Sequence, residues 1–267
     1  MYESHYGLEH RPFAETVSPA SYVALPTREA ALRRLRYGLE HGLGPALLYG
    51  PSGSGKTLLT RRLAVEMGVP TVHLTFPAMP AVDLLSVLAE GLGASAIEAP
   101  TMSAVLRRLR EVLSEHAARG VRPLVIVDEA QSIHEPSAFE VLRLLLNFNT
   151  FGPPDLSLLL SGTAELLLQA PAVLLDRLTA RSLLAPLTEV ESTTYIEGRL
   201  TAAGARDALF TPEALAEIHV AALGVPRRLN HLADLSLLIA YAESRPQVDP
   251  RIVAITAREF HCDPLAA

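Results

Sequence analysis

The chain has 267 residues, 49% of them hydrophobic and 19% charged, which is enough apolar material for a large core and rules out wholesale disorder. A formal net charge of -6 argues against retention on nucleic acid by bulk positive charge, although a local patch is still open. A single cysteine, Cys262, excludes an internal disulfide and a cysteine-based zinc site, and near the C-terminus it reads as inert.

The elements are taken in chain order. Residues 1–26 mix Tyr2, Tyr6, Phe13 and Tyr22 with Pro12 and Pro19 and read as an ordered N-terminal arm, because aromatic side chains favour burial. The same start places Glu3, His5, Glu9, His10 and Arg11 where a signal peptide needs an apolar run. With no apolar stretch of spanning length either, the expectation is a soluble, cytoplasmic protein without direct membrane insertion. Residues 27–40 carry Leu32, Leu35 and Leu39 on a helical stripe. Ala46 to Tyr49 reads as a buried strand, Lys56 to Met67 as a helix and Thr71 to Phe76 as a strand. Helices are predicted over 82–92, 103–118 and 139–147, and strands over 124–127, 156–160 and 181–184. Short apolar strands alternating with helices imply parallel βαβ units. Beyond Pro186 only helices are predicted, over 189–203, 212–222 and 226–243, with Thr211-Pro212 as a cap followed by proline at the first helical position. The domains expected are thus the arm, an α/β domain over 27–187 and a helical domain over 188–267.

Gly50-Pro51-Ser52-Gly53-Ser54-Gly55-Lys56-Thr57 matches G-x-x-x-x-G-K-[ST] and lies between a predicted strand and a predicted helix, the context that motif requires. Gly50, Gly53 and Gly55 allow conformations other residues avoid, so successive N–H groups can line an anion-binding concavity at a helix N-terminus. Lys56, the chain's one lysine, can reach the β- and γ-phosphates of ATP, and the Thr57 hydroxyl can ligate Mg²⁺. The nucleotide-contacting set predicted is Gly50 through Thr57, with the adjoining Leu58. The bland alternative is a glycine-rich turn that binds nothing.

Leu124-Val125-Ile126-Val127-Asp128-Glu129 is a buried strand ending in an acidic pair. Asp128 is predicted to hold Mg²⁺ through its water shell, and Glu129 to orient or deprotonate an attacking water. A helix cap is the bland reading. A carboxylate directly after the magnesium ligand fits hydrolysis better than transfer to a substrate hydroxyl. Asp128-Glu129-Ala130-Gln131 resembles a helicase acidic box, but too little chain follows for a second motor domain. Leu160-Ser161-Gly162 lies after the acidic box, which excludes a transporter-type signature.

Several further segments carry a resemblance. They are Met1-Tyr2-Glu3 with Tyr6-Gly7-Leu8 and Pro12-Phe13, Glu29-Ala30 with Leu35-Arg36-Tyr37-Gly38, and the Asp128–Gln131 box. Leu187-Thr188, Tyr195-Ile196, Arg199-Leu200 and Gly224-Val225-Pro226-Arg227-Arg228-Leu229-Asn230 follow later. Together they resemble the AAA+ ATPases of the ExeA-like (general secretion pathway protein A) group over almost the whole chain. The resemblance implies a P-loop NTPase fold, a three-layer αβα domain around a five-stranded parallel sheet with a small helical lid. It further implies a homo-oligomer with nucleotide at subunit interfaces. It makes Thr163 the positional candidate for sensing the γ-phosphate, with Ser161 the runner-up, although Ser161-Gly162-Thr163-Ala164-Glu165 departs from the usual Gly-Gln-Pro-Glu. It places Arg177 and Arg181 in the region supplying an arginine finger to a neighbouring subunit, and Arg227 as the lid arginine touching the γ-phosphate. Guanidinium groups suit charge spread over γ-phosphoryl oxygens. The bland reading is a solvated helix face, i and i+4, for Arg177 and Arg181, and an ordinary helix start for Arg227. Longer secretion-type members carry a membrane span and a peptidoglycan-binding region after the ATPase. With the sequence ending at Ala267, just past the expected lid, a role in secretin assembly through cell-wall binding is not the expectation.

Two functions are in view: an ATP-hydrolysing switch or motor acting on a protein partner, or a DNA-associated ATPase regulating transposition. The clusters Arg33-Arg34-Arg36, Arg61-Arg62 and Arg107-Arg108-Arg110 could touch DNA phosphates, but the net charge favours a solvated surface. The nine histidines show no pair at metal-ligand spacing, and Leu144–Leu146 and Leu166–Leu168 are expected in the core.

Overall fold

The computed structural model of the chain describes residues 1–16 and 18–262; the Cys262 side chain, read above as inert, lies outside the described residues. In chain order the elements are α1 (Tyr2–His5), α2 (Pro26–Glu40), β1 (Ala46–Tyr49), α3 (Lys56–Met67), β2 (Thr71–Leu74), α4 (Ala81–Gly91), α5 (Met102–Ala118), β3 (Leu124–Val127), α6 (Pro136–Leu145), β4 (Ser157–Gly162), α7 (Leu166–Gln169), α8 (Ala172–Leu175), β5 (Ala180–Leu183), α9 (Glu189–Ala202), α10 (Pro212–Ala222), α11 (Pro226–Ala242) and α12 (Pro250–Cys262). The chain divides into two compact units: residues 27–50 with 56–184, and residues 1–26 with 51–55 and the chain from Ala185 onward.

The first unit is an α/β layer structure. Its five strands lie in the order β2-β3-β4-β1-β5, every neighbouring pair parallel. β3 and β4 are buried along their whole length, as a parallel sheet covered on both faces requires, and this is why they read as continuous apolar runs. Parallel neighbours need crossovers, which α3 to α6 provide. Leu84, Leu85 and Leu88 of α4 and Leu109 and Leu113 of α5 join Val125, Leu158 and Leu160 in one core. The predicted leucine runs are only partly in it. Leu145 and Leu166 are buried, but Leu144 is 42% and Leu168 89% exposed, because a helix of period 3.6 cannot turn three successive side chains inward.

The second unit is helical. Thr188 opens α9 with a reciprocal capping box to Glu191, and the Thr211 hydroxyl accepts the Ala214 N–H at the start of α10. α10 ends on Leu223 and Gly224, both at positive φ. A Cβ on Gly224 would lie 2.2 Å from the Leu187 carbonyl oxygen, so glycine is needed there. α12 was not predicted. Asp249-Pro250 supplies its start, and the Asp249 carboxylate accepts the Ile252 N–H at 3.0 Å.

The N-terminal arm packs inside this helical unit. Tyr2, Leu8, Phe13 and Leu25 share a core with Ile196, Leu229, Leu237 and Ile252. Polar contacts fix its path. The Tyr2 hydroxyl donates to Asp234 at 2.6 Å, and Arg11 pairs with the same carboxylate. Arg199, 8% exposed, donates to the carbonyls of Pro12 (2.8 Å) and Ala14 (3.0 Å) and to the Tyr195 hydroxyl (3.2 Å). A guanidinium can serve three acceptors from one buried position, which explains how a charge is tolerated there.

Candidate functional site

Parallel register brings three strand ends to one edge of the sheet. Tyr49 pairs with Gly162 and Val127 with Leu160, so Gly50, Asp128 and Thr163 leave the sheet at the same side. Gly50 donates to the Gly162 carbonyl at 3.1 Å. A Cβ on Gly50 would lie 2.4 Å from the Leu184 carbonyl oxygen, so the motif's first glycine is demanded by a neighbouring backbone.

Lys56 begins α3 and is 4% exposed, and its ammonium donates to the Gly50 carbonyl at 3.1 Å. The Thr57 hydroxyl donates to Asp128 Oδ2 at 2.6 Å. Leu58, half-buried, follows in the first turn of the helix. Asp128 is 2% exposed. Burial by itself pushes its carboxyl up, but His73, Thr57 and Ser161 outweigh that and hold it at about 2. The His73 contact is 3.6 Å from Nε2 to Oδ2, which makes it electrostatic rather than a formed hydrogen bond. His73 Nε2 and Ser161 Oγ are buried without hydrogen-bond partners. An ionised carboxylate beside a hydroxyl suits a hard cation that keeps most of its own waters. Among the described residues no group of three or more His, Cys, Asp or Glu side chains could hold a metal by itself.

Glu129 stands at φ 49°, ψ 40°, a left-handed conformation that a side chain other than glycine adopts at a cost of roughly 1–2 kcal/mol. Its N–H donates to Asp128 Oδ1 at 3.1 Å, and its carbonyl accepts from the Ser132 N–H (2.8 Å) and hydroxyl (2.5 Å). The carboxylate is exposed, and Gln131 Nε2 donates to its Oε2 at 2.6 Å. Gln131 Oε1 accepts the Thr163 N–H at 3.1 Å. Thr163 is thus the residue just beyond β4, whereas Ser161 is buried within the strand.

The remaining loop residues belong to the helical unit. Pro51 and Ser52 are exposed, Gly53 and Gly55 have φ of +76° and +93°, and Ser54 donates to the Pro51 carbonyl at 3.2 Å. The Ser54 hydroxyl is buried without a partner. Arg227, in the first turn of α11, donates its N–H to the Gly53 carbonyl at 3.2 Å, and its guanidinium lies 3.5 Å from Ser52 Oγ and 3.5 Å from Glu15. Arg227 and the Pro51–Gly55 segment are therefore brought together.

Arg177 and Arg181 are not on one helix face. Arg177 follows α8, and Arg181 lies in β5. Alternation along that strand points Ser182 inward and leaves Arg181 exposed. Arg177 donates to Asn147 Oδ1 at 3.0 Å, and Arg181 to the Leu175 carbonyl. Sequence reasoning also missed His73, Gln131 as a side-chain bridge, and Glu15. Alternating burial in β2, with Val72 and Leu74 inward, was a local sign that His73 faces elsewhere.

The family model described as "AAA domain" matches residues 40–169. Over 97% of its length the chain is 32% identical to General secretion pathway protein A of Aeromonas hydrophila, of which it spans 48%. The part matched by the family model contains most of the chemistry-bearing segments, the Gly50–Thr57 loop and the Asp128-Glu129 pair. The chain also superposes on solved structures. Cdc6p from Pyrobaculum aerophilum aligns with TM-score 0.72 at 21% identity, over 91% of this chain and 70% of that one. The Aeropyrum pernix ORC1 protein in complex with DNA aligns with TM-score 0.67 at 22% identity, over 91% and 68%. The Thermotoga maritima RuvB Holliday junction branch migration motor aligns with TM-score 0.66 at 17% identity, over 96% and 76%. At these identities the structural likeness concerns the fold, a parallel five-stranded sheet with flanking helices and a helical C-terminal part. No described helix is long and apolar enough to cross a membrane.

Proposed function

We propose that this chain is an AAA+ ATPase that binds ATP with Mg²⁺ at Gly50–Thr57 and hydrolyses it, working in the cytoplasm as an oligomeric switch or motor on a protein partner. The observation that carries the reading is the 2.6 Å contact between Thr57 and a buried, ionised Asp128, with Glu129 next in sequence and Lys56 at the helix start. Lys56 and the loop N–H groups would bind phosphate oxygens, Thr57 and Asp128 would hold the magnesium, and Glu129 would direct the attacking water. Bound magnesium would neutralise charge developing on the phosphate oxygens. Arg227, beside Ser52 and Gly53, would add positive charge to the phosphates, and Thr163 would report the terminal one. Arg177 and Arg181 are exposed in this chain and would act on nucleotide held by a neighbouring subunit.

Calorimetry with ATP in magnesium and in EDTA tests the binding step, and turnover of Glu129→Gln tests the chemistry. No nucleotide uptake by folded protein, or equal turnover of the two forms, would refute it. Size measurement in ATP and ADP tests the oligomer, and a strict monomer in both would remove the role of Arg177 and Arg181.

The runner-up, a DNA-associated ATPase regulating transposition, draws on the fold shared with the ORC1 protein solved in complex with DNA. Several arginines of the basic clusters are already paired: Arg36 with Glu40 and Glu66, Arg62 with Glu66, and Arg108 with Glu111. That leaves the protein-partner reading ahead. Salt-dependent retention on duplex DNA with an ATP analogue separates the two.

A further inference from the structure

We propose that Gln131 is a positioning residue that sets the Glu129 carboxylate by tying it to the end of β4, a role that rests on Glu129 directing the attacking water. The geometry begins with the turn Ala130–Ser132. Ala130 is fully buried in the sheet core, which anchors the turn and leaves Glu129 and Gln131 on its polar side. The Gln131 side chain then makes two contacts of opposite sense. Its carbonyl oxygen accepts the Thr163 N–H at 3.1 Å, and its amide nitrogen donates to Glu129 Oε2 at 2.6 Å.

The first contact decides the second. A backbone N–H can only donate, so Gln131 must turn its oxygen to Thr163, and its NH₂ is thereby aimed at the carboxylate. Glu129 has a flexible side chain and an exposed carboxylate, so without this contact it would sample several rotamers. With it, one oxygen is engaged and the carboxylate is oriented before substrate arrives. The Glu129 backbone, in its left-handed conformation, is fixed separately by Asp128 and Ser132, so the Gln131 bridge acts on the side chain alone.

A second feature points to the same bridge. Gly162, the last residue of β4, leaves room for the Gln131 amide. A Cβ there would lie 2.5 Å from Gln131 Oε1, and the next nearest atom, Leu166 Cδ2, is at 3.2 Å. Gly162 has no positive φ, so the close approach of the amide, rather than backbone conformation, is what selects glycine.

The test uses the full chain and measures ATP turnover, KM and the calorimetric Kd for ATP in Gln131→Ala, Gln131→Met, Gly162→Ala, Glu129→Gln and the double variant Gln131→Ala/Glu129→Gln. Misplacing a reacting group by about 1 Å can lower a rate by roughly 100-fold, so kcat should fall about 10- to 100-fold in Gln131→Ala and Gln131→Met. KM and Kd should stay within about twofold, because the bridge touches no loop residue; Gly162→Ala should reproduce the loss without altering Gln131. In the Glu129→Gln background, Gln131→Ala should cost nothing further under single-turnover conditions, since the group it positions is gone. Wild-type kcat in both Gln131 variants, a loss additive with Glu129→Gln, or a loss explained by weaker ATP binding would overturn the proposal. Slow Glu129→Gln with fast Gln131 variants refutes the positioning role alone, whereas fast Glu129→Gln refutes the parent reading and this role with it. If Gly162→Ala fails to fold, the two Gln131 variants decide the question.

Discussion

Replacing Asp128 with asparagine should expose how much the charged carboxylate contributes to the resting fold. Asparagine approximates the neutral acid in size and shape. The carboxyl is lowered from its ordinary 3.8 to about 2, because His73, Thr57 and Ser161 favour the ion by more than burial disfavours it. At roughly 1.4 kcal/mol per pH unit, that lowering is worth about 2 kcal/mol at neutral pH. The folded-state value lies below the unfolded one, so the stabilisation is present above about pH 4 and is lost as the pH falls toward 2. Urea unfolding without nucleotide, followed by circular dichroism at 222 nm, should therefore show Asp128→Asn about 2 kcal/mol less stable than wild type at pH 7. The gap should shrink to about half by pH 3, where the carboxyl of the unfolded chain is mostly protonated while that of the folded chain is still largely ionised. Equal stability at pH 7, or a gap that is the same at pH 3 as at pH 7, would refute the argument.

Other perturbations test other links. Thr57→Val removes the hydroxyl that contacts Asp128 at 2.6 Å, so ATP affinity in magnesium should drop about 10-fold while affinity in EDTA changes little, as calorimetry would show. Gly50→Ala places a Cβ 2.4 Å from a backbone oxygen that cannot move aside cheaply, and should abolish nucleotide binding or folding where Gly55→Ala, with open space but φ +93°, costs only about 1–2 kcal/mol. Arg199→Leu strips the carbonyls of Pro12 and Ala14 of their donor, and should destabilise the chain by about 3 kcal/mol in urea and expose the arm to limited proteolysis. Leu85→Ala, fully buried in the α/β core, should cost about 2–5 kcal/mol and lower the melting temperature without changing the Kd for ATP.

The arginine pair shows where local pattern misleads. Asp176-Arg177-Leu178-Thr179-Ala180-Arg181 places its arginines at helical spacing, while the strand expected over 181–184 claims Arg181, and the pairing of Ala180 to Leu183 with Ala46 to Tyr49 decides for the strand. That pairing spans more than a hundred residues of chain, so the hexapeptide alone does not choose between the two. The leucine runs failed for the opposite reason. Composition suggested burial throughout, but the helical period exposes one residue of each.

Signals that act within a few residues were readable from the sequence alone. Continuous apolar runs gave β1 and β3 their limits, Thr211 opened α10 as a cap, and the loop glycines and Lys56 marked a candidate phosphate site. Tertiary structure alone decided what meets across the chain. It placed the N-terminal arm in the helical core through Asp234 and Arg199, set His73 against Asp128, and put the Thr163 N–H on the Gln131 amide that holds Glu129. The division has a physical cause. Caps, turns and periodicity depend on near neighbours, whereas register between strands and the closure of long loops depend on the free energy of the whole packed chain.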